Sequence, residues 1–161
     1  MSEIKHKITL NLILLFSIFS LFTAYFIQYV LKHQPCNLCL IERVPYIASI
    51  IVILICIFSK KFEKISLIIL SLIFFSAALI SFYHFGIEQG FIEESMVCNL
   101  NEENGYLSKK TLLKQLKEAP ISCKDVTFKI FGLSLATFNI FISLILGSIT
   151  IRKFLTYEKN K

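Results

Sequence analysis

The sequence predicts an all-α integral membrane protein: a bundle of four transmembrane helices with a short amphipathic helix lying on the surface in the second outer loop. Two observations carry this reading. The chain of 161 residues is 55% hydrophobic with a mean hydropathy of +0.69, far above the level of a water-soluble domain. The apolar residues are also gathered into blocks, at roughly 8–31, 40–59, 65–85 and 130–151. The chain is expected to form a single membrane domain over 1–161.

The first block follows Lys5 and Lys7. A secretory signal peptide also begins with a basic segment ahead of an apolar one. The block exceeds 20 residues and lacks a small-x-small cleavage site, so it is expected to remain as a spanning helix. At 1.5 Å per residue such a block matches a hydrocarbon core of about 30 Å. The third and fourth blocks satisfy the same length criterion.

The second block is shorter. Its uncharged run from Val44 to Ser59 has 16 residues, a rise of about 24 Å. It must borrow length from Leu40 to Arg43, so the helix is expected to start just after Cys39. That places Glu42 and Arg43 at the lipid headgroups, where arginine snorkels, and Pro45 in the first turn, where its missing N–H costs little.

An even number of spans puts both termini on one side. The segments 1–7, 60–64 and 152–161 hold nine basic residues against three acidic ones, while the other side holds eight of each. Positive charge in short segments beside spans marks the cytoplasmic face. The termini are therefore expected in the cytoplasm, and the loops 32–39 and 86–127 outside. The basic balance is a topology signal, and nothing in the chain points to nucleic acid.

Of the five cysteines, Cys36, Cys39, Cys98 and Cys123 fall in or at the end of the outer loops, and Cys56 falls within the second block. Cys56 reads as a small buried hydrophobe. Thiols outside a membrane meet an oxidising compartment, where disulfides persist. Cys36-Asn37-Leu38-Cys39, preceded by Pro35, is a Cys-x-x-Cys pair at the head of a helix, whose unpaired N–H groups favour a thiolate. Arg43 lies four residues after Cys39, on the same helical face if the helix has begun, and adds a fixed cation. A nucleophile beside a fixed cation suits attack on an electrophilic carbonyl compound.

Blander readings stand beside these. Cys36 and Cys39 could form a passive clip or half a zinc site. Zinc would call for a second closely spaced ligand pair, whereas Cys98 and Cys123 are 25 apart and His33 is a single candidate. Arg43 could be a headgroup anchor. A bond between Cys98 and Cys123 could be purely structural, since closing that loop is worth about 3 to 4 kcal/mol in the chain-entropy model. Between these cysteines, Leu112, Leu113 and Leu116 share one face of Thr111 to Glu118, which predicts the surface helix. At the end of the third block, His84 and Glu88 stand four apart beside Tyr83 and could pair, or form part of an interfacial belt. Asn139 in the fourth block reads as a helix-to-helix hydrogen bond.

Three stretches together resemble the bacterial disulfide bond formation protein B (DsbB) family. They are Pro35-Cys36-Asn37-Leu38-Cys39-Leu40-Ile41-Glu42-Arg43, Tyr83-His84-Phe85-Gly86-Ile87-Glu88-Gln89-Gly90, and Cys123 leading into Phe131-Gly132-Leu133-Ser134. The resemblance covers nearly the whole chain. It implies an inner-membrane four-helix bundle, a bound ubiquinone or menaquinone near Cys36 and Cys39, and a periplasmic thioredoxin-fold partner like DsbA. That relay is the established means by which the bacterial periplasm is kept oxidising. By position, the resemblance implies that Cys98 exchanges with the partner and Cys123 with Cys36. It also implies that Cys39 engages the quinone, that Arg43 polarises a quinone carbonyl, and that His84 matches a quinone-side position. A vitamin K epoxide reductase-like protein also joins four spans, a Cys-x-x-Cys and quinone, but carries the motif in its fourth helix. A non-enzymatic scaffold braced by disulfides is the remaining alternative.

Overall fold

The structure, a computed structural model, describes residues 2–59, 63–93, 98, 123–124, 129–130 and 133–159. The surface helix expected over Thr111 to Glu118 lies outside the described residues. The elements are α1 (Ser2–Tyr29), α2 (Asn37–Ile41), α3 (Val44–Phe58), α4 (Glu63–Glu88), β1 (Lys129–Ile130), β2 (Leu133–Ser134) and α5 (Leu135–Lys159). Among the described residues, four stretches, Lys7–Tyr29, Asn37–Phe58, Lys64–Glu88 and Leu135–Thr156, are long and apolar enough to cross a membrane. The protein is a multi-pass, four-helix membrane protein. Its outward apolar residues fit lipid, not water: Leu72 is 65% exposed and Leu79 71%.

Helix α4 packs mainly on α5 and also on α3, and α3 also packs on α1. The central core is made by Leu10 and Ile13 from α1, Tyr46, Ile53 and Cys56 from α3, Leu67, Leu70 and Phe74 from α4, and Leu146 from α5. Cys56 is buried there among apolar neighbours. Small polar groups stitch the helices together: the Ser17 and Ser49 hydroxyls lie 3.0 Å apart in the buried contact between α1 and α3. Thr150 donates to the carbonyls of Leu146 and Gly147 within its own helix, so its hydroxyl is satisfied without leaving the bundle.

The helix ends differ from the sequence expectation in ways that position the cysteines. The second span begins at Asn37, three residues earlier than expected, because Cys36 acts as its N-cap and the Cys36 sulfur accepts the Cys39 N–H at 3.3 Å. The span of 22 residues, Asn37–Phe58, rises about 33 Å, which removes the length shortfall. It is broken at Glu42 and Arg43 into α2 and α3. Pro45 stands in the first turn of α3, where no intrahelical N–H is lost. The last helix starts at Leu135 instead of 130, since the chain first makes an antiparallel pair with Lys129 opposite Ser134 and Ile130 opposite Leu133. The Ser134 hydroxyl then accepts the Thr137 N–H at 3.3 Å as the N-cap of α5.

Two reversals close the cysteine end. After α1, Lys32 takes the left-handed conformation at φ 56°, and the His33 N–H reaches back to the Ile27 carbonyl at 3.3 Å. After α4, Gly90 does so at φ 75°, a conformation glycine adopts without strain. The N–H groups of Phe91 and Ile92 both return to the Gly86 carbonyl, at 2.9 and 3.1 Å. The Ile92 side chain thereby lies against Gly86, where a β-carbon would meet it at 2.6 Å.

Candidate active site

The site is assembled where α2, α4 and α5 meet the segment ahead of α2. The sulfurs of Cys36 and Cys39 lie 2.7 Å apart, within reach of one shared proton. Cys36 is 6% exposed, and its sulfur also lies 3.5 Å from His84 Nε2. Cys36 stands ahead of the second span, and the hydrogen bond from the Cys39 thiol is the main influence that holds its thiol down from 9.0 to about 4. Burial opposes this, and the His84 ring supports it.

His84 is fixed on both sides. Its Nδ1 lies 2.9 Å from Glu42 Oε1, and its Nε2 lies 3.6 Å from Glu88 Oε1. Glu42, expected at the lipid headgroups, is instead buried at 8% exposure. The break between α2 and α3 turns its side chain into the bundle, where partners offset the cost of removing a carboxylate from water. Glu42 Oε2 accepts from Asn139 Nδ2 at 3.2 Å. The same amide donates to the Ser81 hydroxyl at 2.7 Å, and Asn139 Oδ1 accepts from the Tyr46 hydroxyl. Asn139, on α5, thus ties together the break after α2, α3 and α4.

The Arg43 guanidinium donates to Gln28 Oε1 at 2.6 Å and lies 4.9 Å from the centre of the Tyr25 ring, a cation–π distance. It is anchored by α1. Cys98 and Cys123 are joined in a disulfide with Cα atoms 5.9 Å apart, the usual span of such a bond. That disulfide packs with Cys36, Leu38 and Ile87 in one buried cluster, and Asn37 Nδ2 donates to the Cys98 carbonyl at 3.3 Å. A cavity of about 360 Å³ adjoins both cysteine pairs. Phe19, Ile27, Phe138 and Ile142 supply apolar wall, while Cys39, Arg43, His84 and Cys123 also reach its surface.

Comparison with known proteins agrees with this arrangement. Residues 6–152 match the profile of the family described as "Disulfide bond formation protein DsbB". The chain belongs to the DsbB family. An uncharacterised protein of Rickettsia prowazekii (strain Madrid E) is 32% identical over 146 residues, which cover 88% of this chain and 84% of that protein. No solved structure matches. As a DsbB family member the protein is a membrane thiol oxidoreductase of disulfide bond formation.

Every residue singled out in the sequence for this site is placed near the same end of the bundle. Cys36, Cys39, Arg43, His84 and Cys123 border one cavity, and Cys98 is bonded to Cys123. His84 and Glu88 face each other as their spacing suggested. Glu42 was read as a headgroup residue, and Gln28 and Tyr25 were not singled out. The buried position of Glu42 follows from the interruption of the helix beside it, whereas Gln28 and Tyr25 are polar and aromatic residues on a lipid-length helix with no motif around them. Their stacking and hydrogen bonding to Arg43 is a tertiary fact.

Proposed function

We propose that this protein is a thiol:quinone oxidoreductase that reoxidises a periplasmic, thioredoxin-fold, DsbA-like dithiol protein. The observation that carries this reading is the apolar cavity bordered by both cysteine pairs, with Cys39 and Arg43 on its wall. A cavity of about 360 Å³ suits a small flat ring, and the ring's lipid tail would find apolar surface at the same depth. The donors present also fit a quinone: Arg43 supplies a fixed cation and the Cys36/Cys39 pair supplies reducing equivalents. A quinone held there, ubiquinone or menaquinone, would supply a two-electron, two-proton acceptor.

The protein's own residues account for the rest. The Cys98–Cys123 disulfide takes two electrons from the partner's dithiol, through a mixed disulfide at Cys98, and leaves the partner oxidised. Cys123 then passes the electron pair to Cys36 as the Cys36–Cys39 disulfide is reduced. Cys36 and Cys39 close again to a disulfide when they give up two electrons and two protons to the acceptor. Cys39 and Arg43, both on the cavity wall, would hold such an acceptor, the sulfur as the nearby nucleophile and the guanidinium as a fixed cation favouring negative charge. His84 and Glu42 hold Cys36 in place. The excess of positive charge at the terminal side sets the termini in the cytoplasm and the cysteines in the periplasm of a bacterial inner membrane.

The test is quinone reduction by the purified protein supplied with a reduced DsbA-like partner. The native protein is expected to turn over with either quinone class, and Cys39→Ser is expected to fall to background. A Cys39→Ser protein that remains fully active would overturn the mechanism.

A further inference from the structure

The Cys36/Cys39 pair is set among more ligand atoms than thiol exchange requires. The sulfurs of Cys36 and Cys39 and a ring nitrogen of His84 all lie within 4.8 Å of one another. Glu88 stands beside this set: its side chain is 4% exposed, its Oε1 lies 3.6 Å from His84 Nε2, and its Oε2 has no hydrogen-bond partner. An unpartnered buried carboxylate oxygen is costly in an apolar surrounding, and a cation would satisfy it.

We propose that the reduced Cys36/Cys39 pair, together with His84 Nε2 and Glu88, forms a binding site for a soft divalent cation of the zinc class.

Two edges of the cluster match such a site. Tetrahedral zinc with the usual bond lengths separates a sulfur and an imidazole nitrogen by about 3.5 Å, and an imidazole nitrogen and a carboxylate oxygen by about 3.3 Å. Cys36 Sγ lies 3.5 Å from His84 Nε2, and Nε2 lies 3.6 Å from Glu88 Oε1. The two sulfurs at 2.7 Å must part to about 3.8 Å, a rotation about the Cα–Cβ bond of Cys39. The second sphere is present as well. Glu42 Oε1 sits 2.9 Å from His84 Nδ1, the carboxylate–histidine arrangement that places the proton on Nδ1 and turns the Nε2 lone pair toward a metal. The sequence argued against zinc because no second closely spaced ligand pair follows the Cys-x-x-Cys. The missing ligands come from the end of α4, on His84 and Glu88, one helical turn apart.

The site exists only in the reduced state, because a disulfide lacks thiolate ligands. Binding displaces to solvent the remaining thiol proton and the proton that His84 Nε2 shares with the Cys36 sulfur, and transfers no electrons. While both sulfurs are bound to the cation they cannot close to a disulfide, so the metal halts electron delivery at the dithiol. The metal site stands on geometry alone, and its effect on turnover rests on the thiol:quinone function proposed above.

The test titrates cobalt(II), then zinc(II), into the full-length Cys98→Ser/Cys123→Ser protein in detergent. The reduced protein is expected to take up one cobalt ion, with the ligand-field and thiolate charge-transfer bands of a tetrahedral site, which zinc bleaches. The oxidised protein should show neither. His84→Ala is expected to weaken binding at least about tenfold, and Glu88→Gln by less. Absence of those bands in the reduced protein, or equal bands in the oxidised protein, would overturn the site. In the native chain, zinc should slow alkylation of Cys36 and Cys39 at least about tenfold but leave reduced Cys98 and Cys123 reactive. Equal rates with and without zinc would also overturn it. A protein that binds cobalt yet never reduces quinone refutes the proposed function and leaves the metal site standing. One that reduces quinone at full rate with zinc bound refutes the block.

Discussion

The middle of the bundle and its cysteine end are built from the same four spans on opposite principles. In the middle, Ile53, Leu67, Leu70 and Phe74 meet with essentially no exposed surface, and Cys56 lies among them. At the cysteine end the buried set is Cys36, Glu42, His84 and the Glu88 side chain, with the partly buried Asn139 beside them, each placed by a partner on another element or by its own neighbours. A packed apolar core accepts a neighbour of similar size. A buried polar chain transmits the loss of one member to the next. The same residue type therefore has two settings in one protein: Cys56 lies in the apolar core, while the Cys36 sulfur lies within hydrogen-bonding distance of Cys39 and His84.

That contrast is open to direct attack. The largest effect is expected from Glu42→Leu, which leaves His84 Nδ1 and the Asn139 amide without their carboxylate. A loss of about 3 to 5 kcal/mol in stability, the usual result of breaking a buried pair, is expected in equilibrium unfolding, with Glu42→Gln recovering part of it. A Glu42→Leu protein as stable as the native one would show that the cysteine end is held by packing alone.

The next effect concerns pH. The Cys36 thiol is lowered from 9.0 to about 4, so its charged, nucleophilic form prevails above that value and is lost as pH falls through it. The alkylation rate of Cys36 in the reduced protein should be flat between about pH 8 and about pH 5.5. An ordinary thiol would lose about tenfold per pH unit over that range, and such a slope would remove the distinction between the two cysteine environments. A smaller change is expected from Arg43→His: the KM for quinone rises about tenfold, while disulfide exchange with the partner is unaffected. Equal loss of both activities would make Arg43 a structural residue anchored to Gln28 and Tyr25. The smallest effect belongs to Cys56→Ala, for which turnover should remain within about threefold of native.

The same division governs what the sequence revealed. The spans were legible because lipid requires a continuous apolar length, and that requirement is one-dimensional. The Cys-x-x-Cys motif was legible because both sulfurs sit within one turn. The helix ends were less so: a cysteine serving as N-cap moved the second span forward to Asn37, and the Ser134 cap delayed the last helix to Leu135. Least legible were the partners of buried charges. Glu42 looked like a headgroup residue because Arg43 follows it and snorkelling suits both. Only the packing of α4 and α5 shows that His84 and Asn139 wait on the inner side. The expected surface helix falls outside the described residues.

Because Cys36 caps α2 with its own sulfur, the state of that sulfur and the order of the first helical turn are tied together. A thiolate is a far better acceptor for the Cys39 N–H than a disulfide sulfur, so reduction tightens the turn and oxidation loosens it. A helix cap is worth about 0.5 to 2 kcal/mol. Credited to the reduced form, it raises the midpoint potential of this two-electron couple by about 10 to 40 mV. A feature that looks like helix bookkeeping thus makes this thiol pair a keener electron taker.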